Sequence, residues 1–148
     1  MKKQAYMIVA AIILATIASL SSAQAQTSVN PEMVANIPFE FSVGAKTFSA
    51  GKYTVRCINP TSSTKVLQIR SETGSESAFV ITDSVNGKIK NNGQLLFHRY
   101  GNEYFFAQAW MPADGIGMQA PKSRRVKDHE LARQKRTTET VALSRGRK

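Results

Sequence analysis

The sequence is short of the residue types that build disulfides, metal sites and catalytic centres. Its 148 residues include one cysteine and only two histidines, His98 and His129. A single thiol cannot close an internal disulfide, so the fold must rest on burial and hydrogen bonding. One cysteine and two distant histidines also give no ligand pair at zinc spacing. We therefore expect no resident metal and no cofactor.

Motifs that present a nucleophile or hold a phosphate are also missing. The sequence has no Gly-x-Ser-x-Gly turn, and residues 115–117 (Gly-Ile-Gly) lack the third glycine of a dinucleotide fingerprint. Cys57 alternates with Tyr53 and Val55 along a predicted strand. This placement favours a buried, structural thiol over a reactive one or a catalytic partner for His98. The sequence thus predicts no catalytic residues and a protein that is not an enzyme.

Long apolar runs are missing too, apart from one at the start of the chain. Two lysines precede an apolar run over residues 5–20, and five small or polar residues follow it. Ala23 and Ala25 occupy the positions that a signal peptidase reads, which predicts a signal peptide over residues 1–25 and a mature chain beginning at Gln26. An uncleaved membrane anchor is the alternative, but the run is shorter than the about 20 residues that a membrane span needs.

This reading places the mature protein outside the cytoplasm. We expect it to be secreted or periplasmic, with no transmembrane segment after cleavage. Residues 26–34 are polar with little periodicity, and we expect them to form a flexible N-terminal lead.

Positive charge is concentrated at the C-terminal end of the chain. Residues 26–121 contain eight Lys and Arg against seven Asp and Glu, whereas residues 122–148 contain ten against three. Clustered basic side chains of this kind bind anionic partners. The candidate anion-binding residues are Lys122, Arg124, Arg125, Lys127, Arg133, Lys135 and Arg136.

Between the lead and the basic tail, apolar residues recur at every second position. The alternation over residues 37–43, 52–58, 66–70 and 77–84 is typical of strands with one buried face. Glycine and asparagine turns separate these segments. Residues 35–112 are therefore predicted to form an antiparallel β domain.

The segment Gln94–Pro112 is predicted to be a hairpin around a Gly101-Asn102 turn. This turn places Phe97 opposite Phe106 and Leu96 opposite Ala107. Both faces of the predicted hairpin contain apolar side chains, which indicates that both are covered. One face is expected to carry Leu95, Phe97, Arg99, Tyr104, Phe106 and Trp110, and the other Leu96, His98, Tyr100, Phe105, Ala107, Ala109 and Met111.

Residues 113–148 are predicted to form a loop, a basic helix and a last strand. The loop covers residues 113–119, which include two glycines. Ser123 is placed to cap a helix over residues 124–135, and the alternation returns over residues 138–144. In total the sequence predicts a mainly β fold, a small antiparallel barrel or sandwich of six to seven strands with one C-terminal helix.

Four segments carry a resemblance to a known family. They are residues 37–44 (Ile-Pro-Phe-Glu-Phe-Ser-Val-Gly), residues 50–55 (Ala-Gly-Lys-Tyr-Thr-Val), residues 97–106 around the predicted turn, and residues 121–131. The chain resembles an uncharacterised family of small exported bacterial proteins that are β-rich. The family has no assigned activity, so the resemblance implies export and a β fold and adds no function.

Three functions are compatible with these patterns. The first is an exported, non-enzymatic β domain with a structural or binding role at the cell envelope, in contact with anionic envelope polymers or another envelope protein. The second is an anion-binding module that uses the basic tail to hold acidic polysaccharide, lipid headgroups or nucleic acid. The third is a carrier that holds a small ligand inside the barrel. Tyr100, Tyr104 and Trp110 could form a platform on which a ligand stacks, but in a small β domain such rings more often have a packing role.

Overall fold

A computed structural model describes residues 31–146 of the chain. The predicted signal peptide and its cleavage residues Ala23, Ala25 and Gln26 lie outside the described residues. Within them the chain forms ten strands and one helix. The strands are β1 (Met33–Ile37), β2 (Phe41–Val43), β3 (Lys46–Phe48), β4 (Gly51–Cys57), β5 (Lys65–Ser71), β6 (Ser77–Asn86), β7 (Gly93–Tyr100), β8 (Glu103–Trp110), β9 (Ile116–Gln119) and β10 (Arg136–Arg145), and the helix is α1 (Arg124–Leu131).

Eight of these strands close into an antiparallel barrel. The order around the ring is β8-β7-β10-β1-β4-β5-β6-β9, and β9 pairs back with β8. The short β2–β3 hairpin lies outside the ring and joins it through Ser42 opposite Phe105. The fold is therefore a barrel of more strands than the six to seven predicted, and the sandwich alternative does not describe it.

The alternating strands supply the barrel interior, as their pattern predicts. Tyr53, Val55 and Cys57 of β4 are all buried, and so are Leu67 and Ile69 of β5. The hairpin outside the ring adds Phe41 and Phe48 to the same cluster. The other large side chains of this core include Met33, Ile37, Leu95 and Phe97.

Several element boundaries differ from the predictions. The strand predicted over residues 37–43 is two strands, because the chain bends at residues 38–40 and sends β1 and β2 to different neighbours. β1 begins at Met33, within the segment assigned to the flexible lead. The segment predicted as a loop over residues 113–119 contains β9. α1 ends at Leu131, four residues early, and Arg133 follows with a positive φ of 53°.

The C-terminal segment is part of the barrel. β10 lies between β7 and β1, and β9 closes the ring between β6 and β8. The segment after Pro112 therefore contributes two strands to the ring.

The β7–β8 hairpin is confirmed, with Phe97 opposite Phe106. The register then shifts at a bulge between Leu96 and Phe97, so Leu96 lies opposite Gln108 and the predicted pairing with Ala107 is wrong. An extra residue in one strand exchanges the two faces beyond it. Ala109 therefore joins the barrel core opposite Leu95, and Trp110 leaves the face that Phe97 occupies.

Candidate functional site

The outer face of the β7–β8 hairpin is covered by α1. Ser123 caps the helix, since its Oγ accepts a hydrogen bond from the Val126 amide at 3.3 Å. Val126 is buried against Tyr100 and Phe105, which point outward from the barrel. The sequence predicts that both faces of this hairpin are covered, and α1 is the cover on its outer face.

Aromatic stacking and ion pairs hold α1 in place around these contacts. His129 stacks on Tyr100, with ring centroids 5.1 Å apart and planes within 9°. Its Nε2 lies 2.7 Å from Oε2 of Glu103, the first residue of β8, and Arg125 pairs with the other carboxylate oxygen. The Arg125 guanidinium also lies over the Phe105 ring at 5.3 Å. The sequence alone does not predict these contacts of Glu103, because Arg125 lies 22 residues and His129 lies 26 residues further along the chain.

Glu130 forms a second polar centre at the other side of the helix. Its carboxylate accepts hydrogen bonds from Lys122 Nζ at 2.9 Å and from Tyr100 Oη at 3.3 Å, and Arg136 lies 3.8 Å away. The hydrogen bond from Lys122 is the main reason that the pKa of Glu130 is lowered. Burial raises the pKa of Tyr100, so this hydroxyl stays protonated and donates.

The structure brings the seven predicted basic residues onto one region, around α1 and the segment that follows it. All seven are exposed. Three of them are paired with carboxylates, namely Lys122, Arg125 and Arg136. The other four have no acidic partner within ion-pair distance among residues 31–146, and they are Arg124, Lys127, Arg133 and Lys135. We call the seven residues together the basic surface.

A cleft of about 230 Å³ lies between this helix segment and the barrel. Lys122, Ser123 and Arg136 line it on the basic side, and Gln108 and Gln119 line it on the other. The cleft therefore joins the basic surface to a patch of neutral hydrogen-bonding groups, a combination that suits an anionic or strongly polar ligand.

His98 also lines this cleft. Its Nδ1 is buried and has no hydrogen-bond partner within the described part of the chain. Burial, aided by the nearby Arg136 charge, lowers the pKa of His98, so the ring is neutral near pH 7. A catalytic histidine is normally oriented by a carboxylate on its second nitrogen, and Nδ1 of His98 lacks one.

The remaining candidates from the sequence are not brought together. Cys57 is buried in the barrel core, whereas His98 points outward into the cleft, so the two do not form a pair. No group of three His, Cys, Asp or Glu side chains in residues 31–146 is placed to hold a metal ion.

The three rings considered as a ligand platform have packing roles. Tyr100 is buried beneath α1, and Tyr104 stacks on Phe39 with centroids 3.9 Å apart. The Trp110 indole is 8% exposed and lies against the backbone of two glycines, one of which is Gly117. The packing interpretation is the one that these contacts favour.

Comparisons with protein-family models, curated proteins and solved structures found no match to this chain. In the stretch from residue 31 to residue 146, no helix has the length and apolar character needed to cross a membrane.

Proposed function

We propose that this chain is an exported, non-enzymatic β-barrel domain that binds at the cell envelope, and that its basic surface holds an anionic polymer such as an acidic polysaccharide. The observation that carries the proposal is the set of four exposed basic side chains with no acidic partner among the described residues. Polyanions bind such surfaces by replacing their small counterions.

The arrangement of these four side chains supports an extended ligand. Arg124 and Lys127 lie three residues apart on α1 and therefore share a face of the helix. Arg133 and Lys135 continue the positive charge beyond the helix end, towards Arg136 at the start of β10. A polymer that follows this segment would meet Arg124 and Lys127 on the helix and then Arg133 and Lys135 beyond its end.

The packed interior of the barrel favours binding outside it over a carrier role. Phe41, Tyr53 and Phe97 meet in the core with ring centroids 5.1 and 5.3 Å apart. Together with the aliphatic side chains around them, the described residues fill the space that a barrel carrier keeps for its ligand. No observation favours the carrier over the basic surface.

Heparin affinity of the chain beginning at Gln26 tests the proposal. The test variant changes the four unpaired side chains, Arg124, Lys127, Arg133 and Lys135, to Gln. We expect at least a tenfold rise in the dissociation constant and a shallower dependence on salt. The matched control removes the same number of charges from parts of the barrel outside the basic surface: Lys46, Lys52, Lys65 and Arg145 to Gln.

The comparison of the two variants decides the outcome. If both weaken heparin binding equally, net charge and not the basic surface is responsible, and the proposal fails. If the unmodified chain binds neither heparin nor single-stranded DNA at moderate salt, a purely structural role replaces it.

A further inference from the structure

The outer face of β4, β5 and β6 carries apolar side chains that no described element covers. The β-sheet register places Ile58 beside Val66, and Val66 opposite Ile81, so these three form a row across the strands. Phe79 lies one outward position along β6 from Ile81. We call these four residues the bare face.

Exposure on the bare face is high for side chains of this type. Ile58 is 47% exposed, Phe79 63% and Ile81 66%. Single exposed apolar residues are ordinary on protein surfaces, but contiguous groups of them mark interaction sites.

Two further exposed apolar side chains lie near the end of β6. Ile89, in the loop after β6, is 70% exposed, and Ile116 of β9 lies opposite Asn86 and is 42% exposed. Ile89 packs near Gly115, one residue before Ile116. Four of the six exposed large apolar side chains in residues 31–146 therefore lie on or next to β6. The other two are Ile58, which follows β4, and Leu131 on α1.

Among residues 31–146, the unpaired charges around this surface are mainly positive. Ile89 lies between Lys88 and Lys90 in the sequence, and all three are exposed. Arg56 and Arg70 are exposed on the outer face of β4 and β5, beside the bare face. The acidic side chains in this region are Asp83 on β6, Asp114 in the loop before β9, and Glu72 and Glu76 in the turn between β5 and β6. Glu72 is paired with Lys52, and Glu76 accepts a hydrogen bond from Tyr53.

The combination of exposed apolar side chains and nearby positive charge helps to decide which kind of partner binds this face. A second copy of the chain would bring the same four cations together, which opposes association. A surface with apolar and negative groups matches the region in both respects. The outer wall of a closed barrel is convex, so it suits a broad surface better than a narrow ligand.

We propose that the bare face, with Ile89 and its two flanking lysines, docks the protein on an anionic lipid surface. Phe79, Ile81 and Ile89 enter the boundary between headgroups and acyl chains, while the lysines and arginines contact the lipid phosphates. The site is separate from the basic surface, since β5 lies opposite β7 in the eight-strand ring.

Vesicle binding by the chain beginning at Gln26 tests this inference. All ten strands and α1 lie between Met33 and Arg145, so this chain retains every described element. We expect it to sediment with vesicles of phosphatidylglycerol and phosphatidylcholine, and to bind pure phosphatidylcholine vesicles far less. The double variant Phe79→Ser/Ile81→Ser is expected to lower the partition coefficient at least tenfold.

A matched control and a second variant locate the contact. Leu131→Ser makes the same kind of change at the most exposed apolar side chain, on α1, and should leave binding unchanged. Ile89→Ser, in a loop outside the sheet, should weaken binding by a smaller factor than the double variant. Circular dichroism of each variant checks that the barrel is retained.

Four outcomes would overturn the inference. These are equal binding by the double variant, equal binding to pure phosphatidylcholine, loss of binding in Arg124→Gln/Lys127→Gln alone, and a dimer in sedimentation velocity that the double variant abolishes. The last would assign the bare face to a second copy. Heparin binding is a separate readout, so failure here leaves the proposed role of the basic surface standing, and the reverse also holds.

Discussion

Two outer faces of the same barrel differ in whether a described element covers them. On β7 and β8, outward-pointing Tyr100 and Phe105 are covered by α1 and are each 2% exposed. On β6, outward-pointing Phe79 and Ile81 are more than 60% exposed. Both faces place large apolar side chains outside a barrel that already has a full core. The difference is that, within residues 31–146, an element covers one of them only.

The covered face shows what such a cover requires. α1 buries a single residue, Val126, so apolar contact alone contributes little. Stacking of His129 on Tyr100 and the carboxylates of Glu103 and Glu130 complete the attachment. Among residues 31–146, the unpaired charges beside the bare face are mainly cations, which is why we propose an anionic surface as its partner.

The largest expected effect comes from truncating one phenylalanine on each face. Phe105→Ala removes a buried ring and should lower the free energy of unfolding by about 3–5 kcal/mol. Phe79→Ala removes an exposed ring and should change it by less than about 0.5 kcal/mol. Urea unfolding of the two variants, followed by circular dichroism, measures the difference. A large loss for Phe79→Ala would show that the bare face is covered in solution, which contradicts the comparison.

An intermediate effect is expected where Trp110 packs, at the margin between the two faces. A Cβ on Gly117 would lie 2.6 Å from Cε2 of the indole, so Gly117→Ala forces Trp110 to move. Overpacking of this kind costs about 1–3 kcal/mol. In the control Gly115→Ala, the nearest atom to the new Cβ is Cγ1 of exposed Ile89 at 3.2 Å, and the loss should be smaller.

Fluorescence makes this test specific, because Trp110 is the only tryptophan of the chain. Gly117→Ala should shift its emission to longer wavelength as the indole becomes more exposed, whereas Gly115→Ala should leave the spectrum unchanged. Equal spectra for both variants would mean that the indole does not lie against Gly117.

The parts of the fold that the sequence predicts are those governed by local periodicity. Tyr53, Val55 and Cys57 alternate, and all three are buried as expected. The Gly101-Asn102 turn fixes the start of the hairpin, and Ser123 caps α1. Each of these features depends on residues that are close together in the chain.

The missed features depend on residues that are far apart. The bulge at Leu96 has no local signature, yet it moves Ala109 into the core and Trp110 to the other face. In the sequence, Gly117 suggests a loop. In the structure it belongs to β9, where the absence of a side chain leaves room for the Trp110 indole. At the candidate site, the basic residues are evident in the sequence. The sequence does not show which of them are paired with carboxylates, because Glu103, the partner of Arg125, lies on β8, 22 residues earlier in the chain.

The smallest expected effect is a pH dependence that belongs to the covered face. The hydrogen bond from Lys122 lowers the pKa of Glu130 in the folded protein below its ordinary value of 4.5. The unfolded chain therefore takes up this proton first as pH falls, so the contribution of Glu130 to stability is present above pH 4.5 and is lost as pH falls through the lowered folded pKa. A mutant cycle of Lys122→Gln, Glu130→Gln and the double variant should show coupling in urea unfolding at pH 7 that disappears in acid. Coupling that persists when the carboxyl is protonated would mean that Lys122 and Glu130 interact through packing, and that α1 is held to the barrel without this ion pair.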